Sequence, residues 1–348
     1  VRARLKDVAE RAGVSIKTVS NVVNGHPHVS AATRARVEAA ITELSYRPNL
    51  SARNLRTGRS GVVALAVPDL DNPYFAELAT HVISAAGRRD WTVLVDQTQG
   101  DPARERLVVG GIRSNLIDGL LFSPLALTHR DLAGRKDHTP MVLLGERVGR
   151  RAPYDHVGID NVAAARAATL HLAERGRRRI AALGAQRAPS AATARLRLKG
   201  YRQALAACGL TADPSLVAHA PAWHRTGGAE AMAALLGPDA PDAVFCFNDA
   251  LALGALRTLL SHGYRVPEDV MVMGFDDIED GRFATPSLST VSPDKALIAE
   301  SAVSLLADRL AGATGEPTEV RVPYRLTPRE SSPYGEFPAI RDARPFPL

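Results

Sequence analysis

The chain has 348 residues, enough for two or three domains, and its 45% hydrophobic and 23% charged content is that of a globular protein. No stretch approaches the ~18 uninterrupted apolar residues that a membrane span requires, so no membrane partner is expected. The net charge of +6 is unevenly placed: residues 1–60 hold 11 Lys and Arg against 4 Asp and Glu, whereas the other 288 hold 32 against 33. A basic block joined to a neutral bulk predicts a polyanion-binding module attached to a part with a different ligand.

In chain order, the opening Val1-Arg2-Ala3-Arg4-Leu5-Lys6-Asp7 has no apolar signal-peptide core, which predicts a cytoplasmic protein. Leu5, Val8, Ala9 and Ala12 recur at i, i+3, i+4, i+7, the face of a short helix. Gly13 ends it and Ser15 caps a second helix, where Val19, Val22 and Val23 share one arc. Ile16, Lys17, Ser20, Asn21 and Asn24 fall on the opposite arc. Asn24 to Pro27 reads as a turn, and Ser30 caps a third helix with Val37, Ala40, Ile41 and Leu44 facing inward. Three short helices with a Gly-containing turn between the first two predict a helix-turn-helix domain over 1–48. A Lys can donate to guanine, an Asn can pair with adenine, and an apolar tip can meet a thymine methyl. Lys17, Asn21 and Ile16 are therefore the candidate base readers. Ser15, Thr18, Asn24, Ser30 and Thr33, at helix starts and turns, suit phosphate.

The run Leu5-Lys6-Asp7-Val8-Ala9-Glu10-Arg11-Ala12-Gly13-Val14-Ser15, with Thr18-Val19-Ser20, Val22-Val23-Asn24-Gly25 and Val29-Ser30, resembles the DNA-binding signature of the lactose-repressor (LacI/GalR) family. Arg34, Val37, Leu44, Tyr46, Pro48 and Asn49 continue the likeness, and Tyr46 and Asn49 join the expected phosphate contacts. Asn49–Arg56, between Pro48 and Thr57-Gly58, has room for about two helical turns, too few to be stable alone. The resemblance implies that 49–60 is a hinge helix and linker, pairing with its dimer mate in the minor groove. Ala52 would allow close approach, Arg53 would supply charge, and Leu55 would be the apolar wedge that kinks the duplex.

From residue 61 short apolar runs alternate with helical patterns. The runs are 62–67, 92–95, 119–122, 141–144, 180–183, 216–219, 243–247 and 270–273, and helices are expected near 76–86, 162–174, 194–207, 227–236 and 251–262. Continuous apolar strands between helices imply parallel sheets covered on both faces. The family resemblance implies a two-lobed, periplasmic-binding-protein-like core over 61–335. Lobe one would be about 61–159 and 292–321, lobe two about 160–291 and 322–335, with 336–348 a tail. Cys208 and Cys246 have no Cys or His neighbours at metal-ligand spacing and are expected to be buried thiols, with no metal site.

In open α/β sheets ligands sit beyond the carboxyl ends of the strands. Those positions hold Asp71, Asn72 and Phe75 after the first run, Glu146 after the fourth, then Arg197, Trp223, Asn248 and Asp276. Carboxylates and Arg can make paired hydrogen bonds to vicinal hydroxyls, and a Trp face packs on a sugar ring. By resemblance, Arg197, Asn248 and Asp276 fall at effector-contact positions. Gly145 departs from the family, many of whose members carry a polar residue there. The reading is a homodimeric transcriptional repressor of carbohydrate uptake or catabolism genes. It would bind a near-palindromic double-stranded DNA operator, be released by a mono- or disaccharide, and use no cofactor. The alternative within the family is a purine- or nucleoside-responsive regulator. A sugar-processing enzyme is disfavoured, because no P-loop, G-x-G-x-x-G, G-x-S-x-G or H-E-x-x-H motif is present.

Overall fold

The computed structural model describes residues 3–23, 26–46, 59–111, 115–145, 153–187 and 191–334, in two units that meet at Gly61 and Val62. The first contains α1 (Leu5–Ala12), α2 (Ile16–Val23) and α3 (Ala31–Glu43). Gly13 takes φ 66°, a left-handed conformation that lets the chain leave α1 and start α2 within three residues. Ser15 Oγ accepts the Thr18 amide N–H at 3.1 Å and Ser30 Oγ that of Thr33 at 3.3 Å, so both following helices begin on hydroxyl caps. Val8, Ala9, Ala12, Val19, Val22, Val37 and Ala40 form the apolar core. Tyr46 is buried with them, its ring filling a core made mostly of Val and Ala. Asn24, Asn49, Ala52, Arg53, Leu55, Glu146 and the tail 336–348 lie outside the described residues.

The second unit begins with β1 (Val62–Val67), α4 (Pro73–Gly87), β2 (Thr92–Gln97), α5 (Pro102–Val109), β3 (Gly119–Phe122), α6 (His129–Ala133), β4 (Met141–Leu144) and β5 (Asp155–Gly158). It continues through α7 (Asn161–Ala173), β6 (Ile180–Ala185), α8 (Ala192–Ala207), β7 (Val217–His219), α9 (Arg225–Ala233), β8 (Ala243–Cys246) and α10 (Asp249–Ser261). β9 (Met271–Phe275), α11 (Glu279–Phe283), β10 (Ser289–Pro293), α12 (Lys295–Leu310), β11 (Glu319–Arg321) and β12 (Tyr324–Thr327) complete it. One sheet, lobe one, has the order β2-β1-β3-β4-β5-β11 and is parallel throughout. The other, lobe two, has the order β7-β6-β8-β9-β10-β12 and is parallel except for β12, which runs antiparallel to β10. The chain passes between the lobes after β5, after β10 and after β11.

Four strands that hydropathy did not reveal, β5, β10, β11 and β12, flank these passages. β5 and β10 are buried yet polar because distant partners satisfy them. Asp155 accepts two hydrogen bonds from Arg309, at 2.7 and 2.8 Å, and one from the Thr318 amide at 2.7 Å. Thr290 Oγ1 donates to Asp249 at 2.7 Å and Ser292 Oγ to Asp277 at 2.8 Å. Cys246 is buried in β8 as expected, whereas Cys208 is exposed, because α8 ends there in a surface turn at Gly209. Among the described residues no helix is long and apolar enough to cross a membrane.

Candidate functional site

The outward face of α2 carries Lys17, exposed, and Ile16, 50% exposed, while Asn21 is half-buried. Val19 and Val22 anchor the opposite face, so an apolar Ile16 tip is left accessible. Ser15 and Thr18 share a hydroxyl hydrogen bond at 2.9 Å, as do Ser30 and Thr33. These hydroxyls fix the helix starts, where exposed amides gather.

In the second unit a cleft of about 1020 Å³ lies between the carboxyl ends of the two sheets. Of the residues expected there, Asp71, Asn72, Phe75, Arg197, Trp223 and Asp276 line it. Asp71 is exposed, and Asn72 Oδ1 accepts the Tyr74 amide at 3.1 Å, capping α4 ahead of Pro73. The Phe75 ring stands edge-on to Tyr74, with centroids 5.1 Å apart.

Arg197, buried on α8, is the hub of the lobe-two wall. Its Nε donates to Asn161 Oδ1 at 2.8 Å and its Nη1 to the Phe247 carbonyl. The guanidinium carbon stands 3.4 Å from the Phe275 ring centroid and 5.4 Å from that of Trp223. Nη2 comes within 3.9 Å of Asp276 Oδ1. Trp223 donates its indole N–H to the Gly184 carbonyl at 3.0 Å, which satisfies its one polar atom within the protein.

Asp276 follows β9 at φ 116°, and Asp277 follows at 53°, both in a region L-residues seldom adopt. Burial pushes the Asp276 carboxyl up to about 7, against the opposing pull of Arg197. Asp277 is also buried, but Arg329 and Ser292 hold its carboxyl below the usual range. Asp249 is pushed up to about 6 by burial and bonds inward to Thr290 and the Ile278 amide. Asp276 is thus the acid among the three that lines the cleft.

Asn248 does not line the cleft. Its Oδ1 accepts the Leu251 amide at 2.8 Å, capping α10, and its Nδ2 donates to the Trp223 carbonyl at 3.1 Å. One N–H and the oxygen of the amide are thus engaged within the protein, and Asn248 steadies Trp223. Gly145 takes φ 83°, and a Cβ there would meet only Ser123 Oγ, at 3.6 Å. Glycine at this position therefore leaves room in the lobe-one wall. Sequence reasoning missed Asn161, which orients Arg197, and the pair of His224 and Asp69, whose Nε2 and Oδ2 lie 3.4 Å apart between the two lobes. Neither had a local signal, since each depends on a partner more than thirty residues away.

A helix-turn-helix head and a two-lobed α/β core with a polar, aromatic-lined cleft define a ligand-responsive transcriptional regulator. Comparison with known proteins agrees. Residues 4–49 match the bacterial regulatory proteins of the lacI family, and residues 169–332 match the periplasmic binding protein-like domain. The chain is 34% identical to the HTH-type transcriptional repressor CytR of Escherichia coli (strain K12) over 312 residues, 89% of this chain and 90% of that one. It aligns with the lac repressor dimer bound to operator and the anti-inducer ONPF at a TM-score of 0.84 and 29% identity, over 96% of this chain and 100% of that one. With a complex of the transcriptional regulator CelR and cellobiose the TM-score is 0.69 at 34% identity, over 95% and 100%. The chain belongs to the LacI family of DNA-binding regulators, and it is not an enzyme.

Proposed function

We propose that this protein is a dimeric repressor of carbohydrate genes whose hold on its operator is released by a mono- or disaccharide bound between the lobes. The observation that carries the sugar reading is the lobe-two constellation of Arg197, Trp223 and Asp276. A buried guanidinium and a carboxyl beside it can donate to and accept from neighbouring hydroxyls, and an indole with its N–H already bonded offers a ring face. The related CelR binds cellobiose, which supports this reading.

On DNA, Ile16, Lys17 and Asn21 would read bases in the major groove. Ser15, Thr18, Asn24, Ser30, Thr33 and Asn49 would meet phosphate, and Ala52, Arg53 and Leu55 would enter the minor groove. Effector in the cleft would change the angle between the lobes, and with it the fraction of protein competent for DNA, by a coupling of about 1–3 kcal/mol. A second reading, a purine or nucleoside as effector, is favoured by the aromatic rings on both walls, Phe75 and Tyr74 on lobe one and Trp223 on lobe two. A thermal-shift panel of mono- and disaccharides, purines and nucleosides on the full chain separates the two. Stabilisation by a sugar that also weakens operator binding supports the first reading, and stabilisation by purines or nucleosides alone replaces it with the second.

A further inference from the structure

Lys295 opens α12, immediately after the chain leaves lobe two, and it is buried. Its ammonium has three N–H donors, and the structure gives Nζ three oxygen partners. They are the Asp276 carbonyl at 2.7 Å, the Asp277 carbonyl at 2.8 Å and Glu77 Oε2 at 2.7 Å. The first two belong to consecutive residues at positive φ, a local conformation that persists only when its surroundings hold it. The third stands on α4, two residues beyond Phe75. The other oxygen of Glu77 accepts the Glu279 amide N–H, at the start of α11 in lobe two, at 3.1 Å.

We propose that Lys295 is the positioning residue of the effector cleft: it pins the main chain that presents Asp276 and, through Glu77, joins that chain to the helix that presents Phe75. A ligand that loads Asp276 then loads the lobe-one wall through one ammonium group, without needing to touch it. This rests on reading Asp276 as an effector contact, so its test is made on the ligand-free full chain and stands or falls apart from the ligand panel.

The groups facing the Asp276 carboxyl are Arg197 on α8, Asp249 on α10, Lys295 on α12 and Glu77 on α4. The experiment is a carbon-13 NMR titration of aspartate carboxyls, with the Asp276 signal assigned by its loss in Asp276→Asn, together with amide hydrogen exchange over 274–280. Lys295→Met should raise the Asp276 midpoint and Glu77→Gln should lower it, since one removes a cation and the other an anion. Lys295→Met should also speed exchange at Asp276–Glu279 at least about tenfold, the equivalent of losing one hydrogen bond to a charged group. Lys295→Arg, which keeps the charge, should restore both readouts in part. Glu77→Gln and Lys295→Arg keep the test open if Lys295→Met does not fold. Midpoints that stay put or shift in the same direction in the Met and Gln variants, or exchange that is unchanged, would overturn the proposal.

Discussion

On the lobe-two wall the ligand-facing groups are held before a ligand arrives: Arg197 by Asn161 and Phe247, Trp223 by Gly184, and Asp276 by the Val291 and Lys295 bonds of its main chain. On the lobe-one wall Asp71 is exposed, and Asn72 is bonded within its own turn. Groups fixed in advance lose less freedom on binding, so each ligand contact made on lobe two would yield more net affinity. On the proposed function, this difference would make lobe two the wall that anchors the ligand and lobe one the wall that adapts to it.

The largest expected effect that would sharpen this contrast comes from Arg197→Ala. Removing two or more charge-assisted bonds, at about 1.5–3 kcal/mol each, should weaken effector binding by about 100-fold or more in calorimetry. Trp223→Ala should follow with a loss of about tenfold, from the lost ring contact. The smallest effect should come from Asn72→Ser, which keeps a capping oxygen and should change affinity less than about threefold. Equal losses at Arg197 and Asn72 would break the distinction between the walls.

The proton on Asp276 tests the same contrast. With its carboxyl near 7, the group is partly protonated at neutral pH, and hydroxyl donors would favour the ionised form. Effector affinity should therefore rise between pH 6 and 8 and level off above, and Asp276→Asn should show no such rise. Stability runs the other way. A carboxyl whose folded value is raised disfavours the fold once ionised. That penalty is absent below the ordinary 3.8 and complete above about 7. Asp276→Asn should raise the thermal midpoint at pH 8 and leave it nearly unchanged at pH 4, the usual exchange of stability for function.

Much of the fold was legible because its signals are local. Periodicity and caps marked α1 to α3, and unbroken apolar runs marked eight of the strands. The strands beside the lobe passages were not legible, since Ser289, Thr290 and Asp155 look like loop residues until Arg309, Asp249 and Ser331 are seen to satisfy them. The site followed the same rule. Arg197 and Asp276, singled out by the family resemblance, and Trp223, by its place between strand signals, line the cleft. Asn161 and Lys295 could not be named from the sequence, because their roles exist only through partners in other elements. Asn248 shows why a motif alone says little of such a residue: a helix cap and a ligand contact call for the same amide, and in the structure it caps α10 and holds Trp223.

The central claim is that the cleft governs the hold on DNA through Asp276. Its most direct test is operator affinity, measured with and without the sugar selected by the thermal-shift panel, for wild-type and Asp276→Asn protein. The account expects the sugar to weaken operator binding by wild type about 5- to 150-fold, the range of an allosteric coupling, and to leave the variant's binding unchanged. A variant that releases its operator as readily as wild type would contradict it.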